Sequence, residues 1–257
     1  MNHPDLNDLQ FYAMVVEHGG FAAAERARLR RDNRDLPIFP TRGSSLSFNM
    51  EATPPVSLLD GRDYSKLTAN EKYKFIEYYK FKFLMEWYLP VWKNLVVKTS
   101  ANMSWMGYYN PKIGYSPFER VEFGGDGLSN LNQGTQLGRD IVSMRGYPVV
   151  TPTGGSPIYN KFSVELRYPI SLNQSATIYA LVFADAGNYW NKISDYRPYD
   201  LARSAGVGVR VFLPMFGLLG FDYGLGFDRE KFGLTPAGKN IFAKYGQFRI
   251  ILGREPE

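Results

Sequence analysis

The chain has 257 residues, a formal net charge of +5, no cysteine and aromatic residues at 16% of the total. The lack of cysteine excludes disulfides and thiolate metal centres, and so mild a positive balance without a clustered basic face is no footprint of nucleic-acid binding. Mean hydropathy is only −0.29 despite 18 Tyr and 18 Phe, the mix expected where lipid-facing aromatics alternate with lumen-facing polar residues.

No apolar run reaches the roughly 18–20 residues that a membrane helix requires; the longest, Val211 to Phe221, is broken by Pro214. The N-terminus shows no basic stretch followed by an apolar one, so no secretory signal is legible. Residues 1–29 differ in kind from the remainder. Leu6, Leu9, Ala13 and Val16 recur at helical spacing, Gly19-Gly20 breaks the pattern, and Phe21 to Ala27 is expected to start a second helix. The run DLNDLQFYAMVVEHGGFAAAERA resembles the opening of a LysR-type regulator, but the resemblance stops before the recognition helix that DNA binding requires. A short helical N-terminus is therefore expected, arising from a chimeric join of reading frames near residue 30 or standing as an amphipathic terminal helix without a role.

From Leu36 onward the pattern has period two, and about eight strands are expected. Leu46, Phe48, Met50 and Ala52 form the first apolar row, and Pro54 to Asn70 a polar loop. A long second row runs from Tyr73 and Phe75 through Tyr79, Phe81, Phe83 and Met85 to Trp87, opposite Lys80, Lys82 and Glu86. Leu95 to Trp105 make the third row. A glycine-rich stretch from Tyr108 to Pro157 follows, carrying Arg120, Arg139 and Arg145; loops of that length are usually functional or disordered. Phe162 to Tyr168, Ser175 to Gly187, Ala205 to Leu213, Leu219 to Phe227 and Phe248 to Leu252 complete the set.

Tight connections alternate with long ones, and the apolar rows are rich in Tyr, Trp and Phe while the opposite rows mix Lys, Glu, Asp and Gly. An all-β, antiparallel up-and-down transmembrane β-barrel portion with a long inward-folding loop is expected. A soluble lipocalin-like barrel is the alternative, and a small pore or carrier barrel the alternative function. No enzyme constellation is expected. His3 and His18 both lie in the N-terminal segment, and Gly124-Gly125-Asp126-Gly127 does not lead from a strand into a helix as a phosphate loop would. No cofactor or metal site is expected.

The segments YSPFERVEFGGDGLSN, SMRGYPVVTP, NKFSVELRYPI, YALVFADAGNYW and RSAGVGVRVFLPMFGLLGFDYGLGFD, in that order, resemble the C-terminal part of the BamA-like outer-membrane protein assembly factors (the bacterial surface antigen family) over roughly residues 31–257. The resemblance implies the last eight strands of a larger barrel, in the cell outer membrane of a Gram-negative bacterium. Its partners would be the lipid bilayer, nascent outer-membrane proteins and assembly lipoproteins, with nucleic acid not among them. It also implies that Met144, Arg145, Gly146 and Tyr147 are the tip of a loop folded into the lumen, with Arg145 latched to Glu165 and Asp185 on the wall. The terminal strand keeps Phe248, Ile250, Leu252 and Gly253 but continues Arg254-Glu255-Pro256-Glu257, without the terminal aromatic residue of the family. The glycines at 206, 208, 220, 224 and 226 are expected to leave room for the inserted loop. The chain is expected to be inactive as an insertase alone, since two open edges in lipid leave backbone groups unsatisfied.

Overall fold

The computed structural model describes residues 10–14, 25–73, 75–125, 140–152, 154–173, 175–235 and 240–253. Among the described residues there are twelve strands: β1 (Gln10–Met14), β2 (Glu25–Asp32), β3 (Gly43–Ala52), β4 (Tyr79–Trp92), β5 (Leu95–Gly107), β6 (Val121–Phe123), β7 (Asp140–Val142), β8 (Ile158–Asn173), β9 (Ala176–Trp190), β10 (Ala202–Leu213), β11 (Gly217–Gly226) and β12 (Gly246–Gly253). Three short helices, α1 (Val56–Leu59), α2 (Ala69–Lys72) and α3 (Ile241–Tyr245), lie in the connections. Ten strands form one sheet in the order β1-β2-β3-β4-β5-β8-β9-β10-β11-β12, every neighbouring pair antiparallel. The remaining two, β6 and β7, form a separate parallel pair inside the long loop. Among the described residues β1 and β12 are the two edges of the sheet.

The eight expected strands correspond to β3, β4, β5 and β8 to β12. Short links at 93–94, 174–175 and 214–216 lie at one end and long ones at 53–78, 108–157, 191–201 and 227–245 at the other, as the alternation of tight and long connections requires. Boundaries move: β8 runs from Ile158 to Asn173 rather than from Phe162 to Tyr168, and β4 begins at Tyr79 rather than Tyr73. Before it, Glu77 is buried and receives the Ser57 amide and hydroxyl, both at 2.6 Å, while Tyr78 and Thr53 exchange bonds at the mouth of the β3–β4 pair. These polar anchors fold the segment back over the rim instead of extending the ladder.

The helical reading of the N-terminus is corrected. Gln10–Met14 and Glu25–Asp32 are strands, paired in register from Gln10↔Arg30 to Met14↔Arg26, and β2 in turn pairs with β3. The physical reason is visible in Arg26-Ala27-Arg28-Leu29-Arg30, whose period-two alternation fits the sheet edge, where an unpaired ladder offers each strand its hydrogen bonds. Leu6, Leu9, Val16, Gly19-Gly20 and His3 and His18 lie outside the described residues, as do Arg139, Asp126, Gly127 and Arg254 to Glu257.

The sheet is inside-out relative to a soluble sandwich. Buried side chains on its concave face include Lys80, Lys98, Asn102, Lys161, Glu165, Arg167, Asp185, Arg210, Asp222 and Arg249. Exposed ones on the other face include Val164, Leu166, Tyr168, Val182, Val207, Phe221, Phe248, Ile250 and Leu252. Because side chains alternate across a strand, a single register produces both rows. The sheet curls far enough that Arg28 and Arg30 of β2 and Leu218 of β11 line one cavity of about 380 Å³. Strands of 16 and 15 residues in β8 and β9 exceed the 9–11 that cross a bilayer when tilted, and so project beyond it. Both prolines within the long strands, Pro90 and Pro169, sit at register shifts, where a missing amide costs the ladder least.

Candidate functional site

The site is built where the long loop enters the concave face. Val121, Phe123, Val142, Met144, Tyr147, Tyr159 and Ala202 form a buried apolar cluster, so the loop carries a small core of its own into an otherwise polar interior. Its backbone is satisfied locally: β6 and β7 pair, Val121 and Ser156 exchange hydrogen bonds, and the Gly125 amide donates to the Tyr147 carbonyl at 3.0 Å. Gly124 and Gly125 take positive φ, +93° and +72°. Phe123 rests on the bare backbone of Gly187 in β9, where a Cβ would stand 2.7 Å from its ring.

From this platform Arg145 points into the wall. Its Nε and Nη2 donate to the two oxygens of Asp185 at 2.7 and 2.5 Å, and its Nη1 donates to Glu165 at 2.7 Å. Nη2 also donates to the Ser163 hydroxyl at 2.7 Å, and that hydroxyl donates to Asp185 at 2.6 Å. The guanidinium carbon lies over the Phe183 ring, 3.7 Å from its centroid, a cation–π contact. Glu165 is shared: its other oxygen accepts from Arg167 Nε at 2.7 Å. Fork geometry explains why arginine stands here, since it meets one carboxylate with two parallel bonds and a second carboxylate with the remaining nitrogen.

The flanking tip residues fix the depth of insertion. Gly146 has φ +85°, and a Cβ there would meet the backbone of Leu225 and Gly226 at 2.8–2.9 Å. The Gly146 carbonyl accepts from Arg229 at 3.0 Å, and the same guanidinium reaches the carbonyls of Tyr245 and Gly246, where α3 joins β12. Tyr147 donates through its hydroxyl to the Arg203 carbonyl at 2.7 Å and accepts the Asp228 amide at 2.9 Å, its ring edge-on to Phe232. Burial pushes the Tyr147 phenol up to about 12, which keeps it a neutral donor. Met144 is wholly buried in the loop core.

All six residues expected in the latch are thus in one place: Met144, Arg145, Gly146 and Tyr147 at the tip, Glu165 and Asp185 on the wall. Of the glycines expected to admit the loop, Gly224 and Gly226 do so. Gly208 and Gly220 have another use: they flank the bidentate Arg210–Asp222 pair, with bonds of 2.6 and 3.0 Å across β10 and β11. Gly206 instead lies against Phe183 and the Tyr223 carbonyl. Arg120, the other loop arginine described, bonds to the carbonyls of Ser116 and Tyr115 within its own loop. The terminal strand presents Phe248, Ile250 and Leu252 on the exposed face, with Phe248 stacked on Phe221, and pairs Gly253 with Leu218. Sequence reasoning missed Ser163, Phe183, Arg229 and Arg249; alternation alone marked Ser163 and Arg249 as facing the polar interior.

A sheet with a charged interior, an apolar exterior and a latched loop defines a membrane β-barrel protein with an occupied lumen. Residues 22–253 match the Omp85 superfamily domain, and the chain belongs to that superfamily. Among solved structures it is similar to the crystal structure of BamA from Haemophilus ducreyi lacking POTRA domains 1-3, with a TM-score of 0.57 and 17% sequence identity. The match covers 88% of this chain and 41% of that one, so the chain spans about two fifths of the structure it resembles. A search of curated proteins returns no match.

Proposed function

We propose that the chain is the C-terminal portion of an outer-membrane β-barrel protein that assembles or inserts other barrel proteins, and that its role is positioning rather than chemical catalysis. The observation that carries this reading is Arg145, held by Asp185 and Glu165 at 2.5–2.7 Å on the polar face of a sheet whose other face is apolar. That arrangement fixes a loop inside the barrel, leaving the strand edges to meet a client by strand addition. The bilayer, nascent outer-membrane proteins and assembly lipoproteins are the proposed partners, and the outer membrane of a Gram-negative cell the proposed location. The two edges that β1 and β12 form among the described residues support the further reading that the chain does not insert clients by itself.

The test is depletion of the protein in its own cells, followed by heat-modifiable migration of the outer-membrane barrels. Loss of folded barrels supports the proposal; unchanged levels with the protein gone overturn it. The purified chain in liposomes is expected to leave an unfolded test barrel protease-sensitive.

A further inference from the structure

Beside the latch lies a cavity of about 60 Å³ bordered by Lys98, Asn102, Ser143, Arg145, Lys161 and Arg249. Its walls carry more positive than negative charge. Arg145 with Asp185, Arg167 with Glu165, Arg210 with Asp222 and Lys98 with Glu86 match four cations to four carboxylates. Lys161 and Arg249 are left over. Arg249 is 5% exposed; its Nη1 donates to the Gly125 carbonyl at 3.0 Å, but the carboxylate beside it, Asp222 at 3.8 Å, is already gripped by both nitrogens of Arg210, so its charge is not matched. Lys161 is 8% exposed and makes no hydrogen bond or ion pair among the described residues. A buried charge without a partner is costly enough that folded proteins compensate it.

The neutral groups around the cavity are also donors in want of an acceptor. Asn102 is the direct register partner of Lys161 across β5 and β8, so both side chains stand on the same face. Its carbonyl oxygen accepts from Tyr159 at 2.7 Å while its buried amide nitrogen has no partner. The Ser143 hydroxyl and the Arg249 Nε are likewise buried without one. A water-sized sphere needs about 10–15 Å³, so the space takes a monatomic ion with a few waters and excludes a headgroup or a nucleotide.

We propose that this cavity binds a small monovalent inorganic anion, such as chloride, between Lys161, Asn102, Ser143 and Arg249, and that the ion neutralises the surplus charge behind the latch. The site lies between the loop and the strands, so the anion stabilises the inserted loop rather than passing through the barrel.

The experiment melts the full chain in detergent micelles in sodium chloride and in sodium gluconate at equal ionic strength. Above the dissociation constant, the chloride series should rise by about 3–5 °C per tenfold concentration while gluconate stays flat. Crystals grown in bromide should show an anomalous peak between Lys161 and Asn102. Lys161→Met should flatten the chloride series and Lys161→Arg should retain it. Should Lys161→Met not fold, Asn102→Asp supplies a fixed negative charge at the same spot and should make the melting independent of chloride. Coincident melting curves in chloride and gluconate, bromide absent from the cavity, or a chloride response that survives Asn102→Asp would overturn the proposal.

Discussion

Gly146 of the loop tip and Gly224 of β11 lie backbone to backbone, so close that a methyl group on either would come within 2.8 Å of the β11 or loop-tip backbone that it faces. The contact sets how deeply the loop is inserted, and with that the distance from which Arg145 reaches its carboxylates. Gly146→Ala adds both this clash and a positive φ, and overpacking of this kind typically costs about 1–3 kcal/mol. Gly224→Ala carries the clash without the unusual φ. The expected order of loop protection against limited proteolysis is wild type, then Gly224→Ala, then Gly146→Ala.

Removing the guanidinium leaves two carboxylates facing each other in a buried space. Breaking a buried pair in this way costs about 3–5 kcal/mol. Arg145→Ala should therefore release the loop, seen as faster hydrogen exchange over 140–152, while the β8–β9 ladder stays protected. Arg145→Glu should be worse, and Asp185→Arg in that background should restore part of the protection.

Tyr147→Phe removes one hydroxyl that both donates to the Arg203 carbonyl and accepts the Asp228 amide. Leaving those backbone groups unpaired costs about 1–3 kcal/mol. The expected change is local: the 227–235 connection loosens in hydrogen exchange, and the Arg145 contacts persist.

Asp222 is gripped by Arg210 at 2.6 Å and lies 3.8 Å from Arg249. Asp222→Asn should destabilise the β10–β11–β12 end of the sheet more than the latch, read as early loss of protection in β12 on heating.

The outer face is tested with charge. Val182 and Val207 are direct partners on β9 and β10 and both are exposed. Arginine at either position should reduce folding stability in lipid bilayers by about 2–4 kcal/mol if the residue lies at mid-depth. Equilibrium unfolding in vesicles measures it; a change near zero would place this face in water.

The strand rows were legible in the sequence, because period-two alternation assigns each residue to a face without knowledge of the partner strand, so Glu165 and Asp222 could be read as interior. The latch was legible only through the family resemblance, which supplied the motif at the tip of the over-long loop and matched Arg145 with Glu165 and Asp185. What alternation cannot show is depth: that Arg229 reaches back to Gly146, or that Gly208 and Gly220 accommodate an ion pair rather than the loop, depends on three-dimensional approach. At the N-terminus a family-like helical string outweighed the Arg-Ala-Arg-Leu-Arg alternation, and strand pairing at the edge of the sheet went against it. The short parallel pair β6–β7 has three residues per strand, too few for any periodicity to register.

Ser163 and Asp185 face each other directly across the β8–β9 pair, and Glu165 stands two residues further along the same row. The carboxylate socket therefore exists only when that hairpin is in register, since a slip of one residue turns Asp185 toward the lipid. The loop precedes both strands in the chain, so it must wait for them to pair correctly before Arg145 has anywhere to go. Docking of the tip is thus a checkpoint on hairpin alignment: a misaligned sheet is left with an unhoused arginine and a loop it cannot close over.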